Sequence, residues 1–159
     1  MRKKKIYLDT SVISHLDAKD TPEKMETTLK LWDILMTKNE YEVFISYLDY
    51  EEIDECKEPK RTYMRDMLKK IDYIELSKND DIEILVKAYL DNDVLNEKSI
   101  DDLTHIAIAV LNDVDFIVSW NFNHFVNIKT IKAVNLVNAS LNYKIVEIIP
   151  PSMIVGGEN

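Results

Sequence analysis

Short runs of apolar, β-branched and aromatic residues alternate along this chain with longer segments whose apolar residues recur every three or four positions. The short runs are typical of β-strands, and the longer segments are typical of amphipathic helices. We predict strands over residues 5–8, 41–45, 73–76, 115–118 and 144–149. Because helical segments separate them, the strands are expected to form a parallel sheet with helices on both faces. The pattern therefore indicates an α/β fold.

Six helices are predicted from the same pattern, and most of them begin at a residue that favours a helix start. The first five starts are marked by Thr21-Pro22, Ser46, Pro59, Ser77 and Ser99, and the sixth helix covers residues 127–141. Two consecutive prolines, Pro150 and Pro151, end the last strand. We therefore expect a single domain over residues 1–150 and a loose C-terminal tail over residues 151–159.

The composition of the chain excludes several classes of protein. Its only glycines are Gly156 and Gly157, and without glycine the predicted domain cannot form the phosphate loops of Walker-type NTPases or dinucleotide-binding folds. The single cysteine, Cys56, cannot form an internal disulfide or build a zinc site. The apolar run after the basic N-terminus spans only residues 6–8, which is too short for a signal sequence or a membrane span. We expect a cytoplasmic protein with no membrane partner.

Asp9 follows the first predicted strand directly and precedes two small hydroxyl residues, Thr10 and Ser11. Open α/β sheets bind their ligands at the carboxyl ends of the strands, which is where Asp9 would lie. Two later acids, Glu52 and Asp102, stand at similar junctions. Three carboxylates brought together commonly hold a hard divalent cation such as Mg²⁺ or Mn²⁺. The sequence therefore predicts a metal site whose catalytic acids are Asp9, Glu52 and Asp102.

Each of these three acids also has a simpler interpretation. Asp9 could occupy a turn or cap a helix, as aspartate often does. Glu52 could be one of the exposed glutamates of its helix, and Asp49 and Glu51 compete with it for the role of ligand. The spacing favours Glu52, because it lies four residues after Leu48, at the edge of the buried side of the helix.

Asp102 lies near the start of a predicted helix, three residues after Ser99. This is the spacing of a capping box with Asp in place of Glu, and acids are stabilised at helix N-termini. Asp101 is the neighbouring acid that could instead face solvent. His105, one turn later, is interpreted as a partly buried histidine with satisfied hydrogen bonds rather than as a ligand.

The loop after the fourth strand is rich in asparagine, histidine and aromatic residues at the same edge of the predicted sheet. It is expected to form a binding surface, although turn formation and packing on the core are the simpler interpretation. Asn121 is a candidate metal ligand. The residues expected to support the site or contact a substrate are Ser11, Ser119, Asn123 and His124. Ser11 is the natural partner to orient the Asp9 carboxylate.

The net charge of −9 lowers the expectation of a nucleic-acid partner, because phosphates repel acidic surfaces. Clustered acids of a metal site account for part of this charge, and a bound cation would offset them. Lys129, Lys132, Lys144 and the basic N-terminus remain available for phosphate contacts. Nucleic acid therefore stays open as a partner.

With these residues in view, the chain resembles the PIN-domain nucleases, which include the ribonuclease toxins of VapBC toxin–antitoxin pairs. Four segments carry the resemblance in the order of the family, namely residues 7–13, 46–53, 102–107 and 117–121. The resemblance implies a Rossmann-like three-layer α/β/α sandwich with a central, mainly parallel sheet of about five strands. It also implies that Asp9, Glu52 and Asp102 converge on one site.

The fourth segment departs from the family pattern. Many relatives carry a further acid there, in a Thr-x-Asp arrangement, whereas this chain has Ser119, Trp120 and Asn121. Asparagine can coordinate a cation through its carbonyl oxygen but brings no charge. The resemblance therefore implies that a second metal ion, if one binds, binds more weakly.

The function implied by the resemblance is hydrolysis of RNA phosphodiester bonds by water that Mg²⁺ or Mn²⁺ activates. A cognate antitoxin is then an expected partner, and a homodimer is an open alternative. A PIN domain that has lost activity and binds RNA or a protein is the main competing interpretation, kept open by Asn121.

Two other α/β classes that use Mg²⁺ and aspartate fit less well. Haloacid-dehalogenase-type phosphatases need a second Asp two residues after the first, where this chain has Ser11. Response-regulator receivers need an acceptor Asp after the third strand, where residues 75–77 offer none.

Overall fold

The computed structural model describes residues 2–95, 99–122 and 128–156. Its centre is a five-stranded sheet in which every pairing is parallel, with the strand order β3-β2-β1-β4-β5. The strands are β1 Lys4–Leu8, β2 Tyr41–Ser46, β3 Ile74–Leu76, β4 Phe116–Val118 and β5 Glu147–Ile149. The α/β class and the parallel sheet are thereby confirmed.

The central strand β1 shows why the sheet is buried on both sides. Ile6 pairs with Val43 of β2 on one side and with Phe116 of β4 on the other. Ile6 and Leu8 point into one hydrophobic cluster, and Tyr7 points into the other. All three side chains are fully buried, as expected for a strand covered by helices on both faces.

Helices cover the two faces of the sheet and complete three layers. They are α1 Thr10–Ser14, α2 Pro22–Thr37, α3 Tyr47–Asp54, α4 Lys60–Leu68, α5 Asp80–Asp91, α6 Ile100–Leu111, α7 Ile128–Ser140 and α8 Ser152–Val155, with a 3₁₀ turn at His15–Asp17. Residues of α5, α6 and α7 form the cluster around Tyr7, and residues of α1, α2, α4 and α8 form the cluster around Ile6. The Rossmann-like three-layer α/β/α sandwich is confirmed.

Several predicted boundaries were wrong. Helix α5 begins at Asp80 with Asn79 as its N-cap, so Ser77 does not cap it. The last strand begins at Glu147 and not at residue 144 as predicted, since residues 144–146 belong to no strand. The sixth helix ends at Ser140 rather than at Leu141, and its predicted first residue, Asn127, lies outside the described residues.

The expectation of a loose tail after Pro151 was also wrong for the part that the structure describes. Residues Ser152–Val155 form α8, and Ile154 is buried in the core next to α2. A proline pair ends a strand, but proline at the position before a helix is compatible with starting one. None of the helices in the described residues is long and apolar enough to cross a membrane.

The order of the strands fixes where a ligand site can form. From β1 the chain proceeds to β2 and β3 on one side, and then returns to place β4 and β5 on the other side. The crevice at the carboxyl ends of β1 and β4 is therefore the topological switch point, the usual ligand site of open α/β sheets.

Candidate active site

A pocket of about 260 Å³ opens at this switch point. It is lined by Asp9, Thr10, Ser11, Ser14, Glu52, Asp102, His105 and Asn121. Asp9 follows β1, Asn121 follows β4, Glu52 comes from α3 and Asp102 comes from α6. The three acids and the asparagine proposed from the sequence thus line one pocket, although they are far apart along the chain.

Asp9 is held rigidly at the base of the pocket. One carboxylate oxygen accepts hydrogen bonds from the Ser11 hydroxyl at 2.6 Å and the Val12 amide at 3.3 Å, and the other accepts from the Ser119 hydroxyl at 2.6 Å. Burial raises the pKa of Asp9 above its ordinary value, although the charge of His105 and these hydrogen bonds oppose the rise. Asp9 also caps α1, which is the simpler interpretation considered for it.

Glu52 reaches the pocket from α3, whose start is fixed by a capping box. The Ser46 hydroxyl accepts from the Asp49 amide at 3.4 Å, and the Asp49 carboxylate accepts from the Ser46 amide at 3.0 Å. Glu52 stands one turn beyond this box and accepts hydrogen bonds from Thr10 at 2.9 Å and from His105 at 2.5 Å. Glu51 points away from the pocket, and Asp49 has no solvent exposure. Of the three competing acids, only Glu52 lines the pocket.

His105 connects Glu52 to the interior of the sheet. Its Nε2 contacts Glu52, and its Nδ1 lies 2.5 Å from the hydroxyl of Tyr7, which in turn lies 2.7 Å from the hydroxyl of Ser46. Burial alone would lower the pKa of His105, but the hydrogen bond to Glu52 and the charges of Asp49 and Asp9 raise the pKa to about 9. A protonated His105 donates from both ring nitrogens. The expected buried and satisfied histidine is observed.

Thr10 completes a closed ring of hydrogen bonds beneath the pocket. Its hydroxyl lies 2.9 Å from Asp49 and 2.9 Å from Glu52. A hydroxyl has a single proton and cannot donate fully to two carboxylates. Burial raises the pKa of Asp49 to about 7, despite opposition from the charge of His105 and the Ser46 hydrogen bond. A protonated Asp49 donates to Thr10, and Thr10 then donates to Glu52.

Asp102 and Asn121 face one another across the pocket mouth. The amide nitrogen of Asn121 donates to Asp102 at 3.2 Å, and the backbone amide of Asn121 donates to the hydroxyl of Ser119 at 2.9 Å. Asp101, the competing acid, is exposed and lines a different groove. Asn123 and His124 lie outside the described residues.

The donor set suits a hard divalent cation. Three carboxylates and an amide line the pocket, and none of its described lining residues is Lys or Arg, so His105 is the one basic group in that lining. Within the described residues, no three Asp, Glu, His or Cys side chains stand close enough to share a metal ion as they are. Glu52 is turned to His105 and Asp102 is bonded to Asn121. The residues fit Mg²⁺ or Mn²⁺ in kind, and these carboxylates must turn from their present partners to share it.

Sequence reasoning missed the hydrogen-bonded ring beneath the pocket. Its members Tyr7, Ser46 and Asp49 are all buried, and they come from different elements. One signal was available, because a tyrosine in the middle of a fully buried strand needs a partner for its hydroxyl. The sequence does not reveal that this partner is His105.

Comparison with known proteins bears on the fold of this chain. No family model matches the chain, and no curated protein matches it. Among solved structures, the chain is similar to a chain in the crystal structure of VapBC2 from Rickettsia felis bound to a DNA fragment from their promoter. The TM-score is 0.55 at 12% identity, over 92% of this chain and 98% of that chain. The chain thus has the fold of a protein in that VapBC2 structure, which is the fold that the resemblance of its motifs implied.

Proposed function

We propose that this protein is a divalent-metal-dependent endoribonuclease that hydrolyses phosphodiester bonds of single-stranded or structured RNA. The observation that carries the proposal is the pocket at the switch point, which Asp9, Glu52 and Asp102 all line, within a fold shared with a VapBC protein. Hard cations prefer carboxylate oxygens, and such bound cations are used for the hydrolysis of phosphodiester bonds.

Asp9, Glu52 and Asp102 would hold Mg²⁺ or Mn²⁺, with Asn121 as a further ligand through its carbonyl oxygen. The bound cation would activate a water molecule and offset the charge that develops on the phosphate. Ser11 and Ser119 fix the orientation of Asp9 through hydrogen bonds of 2.6 Å each. Thr10 and His105 hold Glu52 in the metal-free protein, and its carboxylate would turn from His105 to reach the cation. Asp9 is therefore oriented before the cation binds and would lose little conformational freedom on binding it.

The proposed biological setting is a toxin–antitoxin pair in the cytoplasm. The similar VapBC2 structure supports a cognate antitoxin as the partner that would restrain such a nuclease. The competing proposal is a domain that binds RNA or a protein without cleaving it. It is favoured by Asn121, which brings no charge to the pocket and donates to Asp102.

Cleavage of an end-labelled single-stranded RNA by the purified protein tests the proposal. We expect cleavage with Mn²⁺ or Mg²⁺ and none with EDTA. Glu52→Gln should lower the rate at least 100-fold, on the order of the effect of one catalytic group. Glu51→Gln, the matched control from the adjacent exposed position, should cleave as the wild type does. RNA binding without any metal-dependent cleavage would favour the competing proposal.

A further inference from the structure

An aromatic and basic surface lies beside the candidate active site. The rings of Trp120 and Phe122 pack edge to face with centroids 5.7 Å apart, and His15 lies 5.9 Å from Trp120. The ammonium group of Lys24 stands 5.6 Å from the centre of the Trp120 ring and 5.2 Å from that of Phe122. We call these four residues the aromatic ledge.

The aromatic ledge is continuous with the pocket, because residues 119–122 alternate between the two. Ser119 bonds to Asp9, and Asn121 lines the pocket, whereas Trp120 and Phe122 form the ledge. Neighbouring Cα atoms are about 3.8 Å apart. A strand whose phosphate occupies the pocket therefore has its adjoining nucleotide within reach of the ledge.

The ledge is rigid on one side and open on the other. The indole nitrogen of Trp120 donates to the buried hydroxyl of Thr28 at 2.8 Å, and its backbone amide donates to Ser11 at 2.9 Å. Trp120 is only 8% exposed, whereas Phe122 is 42% exposed. Phe122 thus presents an aromatic ring to solvent on a fixed support, which limits the entropy lost when a ligand stacks on it.

We propose that the aromatic ledge binds an unpaired base of the RNA substrate, with the base stacked on Phe122 and its phosphate beside Lys24. The inference rests on the proposed function and extends it to a specific substrate contact. Proteins that bind single strands combine aromatic stacking platforms with positive charge along the backbone. In a chain of net charge −9, a lysine held next to an acidic pocket suits a phosphate better than it suits a basic protein segment.

Binding of a fluorescein-labelled single-stranded RNA, measured by anisotropy in EDTA, tests the stacking contact. Phe122→Ala and Phe122→Leu should each weaken binding about tenfold, as expected for the loss of one stacked base. Phe122→Trp should restore the wild-type affinity, because it keeps the aromatic face. Ile84→Ala is the matched control, since Ile84 is an exposed apolar residue on α5, and it should bind as the wild type does.

The salt dependence of the same binding tests the phosphate contact. Lys24→Gln should reduce the slope of log affinity against log salt by about 0.7, the value for one phosphate of a single strand. Lys30→Gln, on the same helix with its ammonium near Glu26, should leave the slope unchanged. Equal slopes for the wild type and Lys24→Gln would overturn the role of Lys24.

Cleavage kinetics with Mn²⁺ separate a failure of the ledge from a failure of the proposed nuclease activity. Phe122→Leu should raise KM with kcat unchanged, because the contact is the same in the substrate and transition-state complexes. If the wild type cleaves RNA and Phe122→Leu has the same KM and RNA affinity, the proposal for the ledge is refuted and the nuclease proposal stands. If the wild type binds RNA in a Phe122-dependent way but never cleaves it, the ledge stands and the nuclease proposal is refuted.

Discussion

Replacement of Asp49 by Asn should stabilise this protein at alkaline pH, because Asp49 is a fully buried acid beneath the candidate active site. Its carboxylate accepts from the Ser46 amide and lies 2.9 Å from the hydroxyl of Thr10. In Asp49→Asn, the introduced amide oxygen can accept from Ser46 and the amide nitrogen can donate to Thr10. The variant therefore keeps the hydrogen bonds of a protonated Asp49 at every pH.

The magnitude follows from the pKa of Asp49, which burial raises from 3.8 to about 7. The folded protein keeps this proton when the unfolded chain has released it, so stability is highest at acid pH and falls as the pH rises to about 7. Each pH unit in this window is about 1.4 kcal/mol. From pH 5 to pH 8, wild type should lose about 3 kcal/mol more than the variant. Because the prediction compares how much each protein changes between the two pH values, any pH-independent effect of the introduced amide on stability cancels.

Urea denaturation at pH 5 and pH 8 in EDTA measures the effect, with the midpoints compared at equal slope. Glu51→Gln, which changes an exposed neighbouring acid on α3, should show the same pH dependence of its urea midpoint as the wild type. Parallel pH dependence in wild type and Asp49→Asn would refute the reasoning, because it would mean that Asp49 is charged throughout. A variant that is relatively less stable at pH 8 would show that the charge of Asp49, 4.0 Å from His105, stabilises the fold instead.

Three further predictions follow from the site and the core. In EDTA, His105 should add stability that is complete below about pH 6.5 and lost as the pH rises through about 9; His105→Gln should flatten the thermal melting temperature across this range. Asn121→Asp should tighten Mn²⁺ binding about tenfold in calorimetry by adding a charge at the pocket, and unchanged affinity would limit Asn121 to shaping its turn. Ile154→Ala should lower the free energy of unfolding by about 2 to 5 kcal/mol, and a loss under 0.5 kcal/mol would mean that α8 does not contribute to the core.

The fold class could be predicted from the sequence because the apolar periodicity and the order of strands and helices both indicate an α/β fold. The strand β1 is a short apolar run between charged residues, and Pro22 and Ser46 mark helix starts that the structure has. Boundaries were less predictable where two residues of similar capping ability compete. Both Ser77 and Asn79 can cap a helix, and the local sequence does not choose between them, whereas the structure has Asn79 at the N-cap.

The candidate site was predictable in its acids but not in the contacts that hold them. Asp9 and Asp102 lie next to recognisable strand and helix ends, where sheet topology brings polar groups together. The contacts of Glu52 depend on how α1, α3 and α6 meet, because α1 carries Thr10 and α6 carries His105 within hydrogen-bond distance. Such long-range contacts are set by tertiary packing, so local sequence patterns do not contain them.

Calorimetric titration of Mn²⁺ tests most directly the central claim that the pocket acids form one metal site. The measurement compares the wild type with two pairs of neighbouring acids, Glu52→Gln against Glu51→Gln and Asp102→Asn against Asp101→Asn. Glu52→Gln and Asp102→Asn should each bind Mn²⁺ at least about tenfold more weakly, while the two control variants should bind as the wild type does. Equal affinity in all five proteins, or no binding by the wild type, would contradict the account.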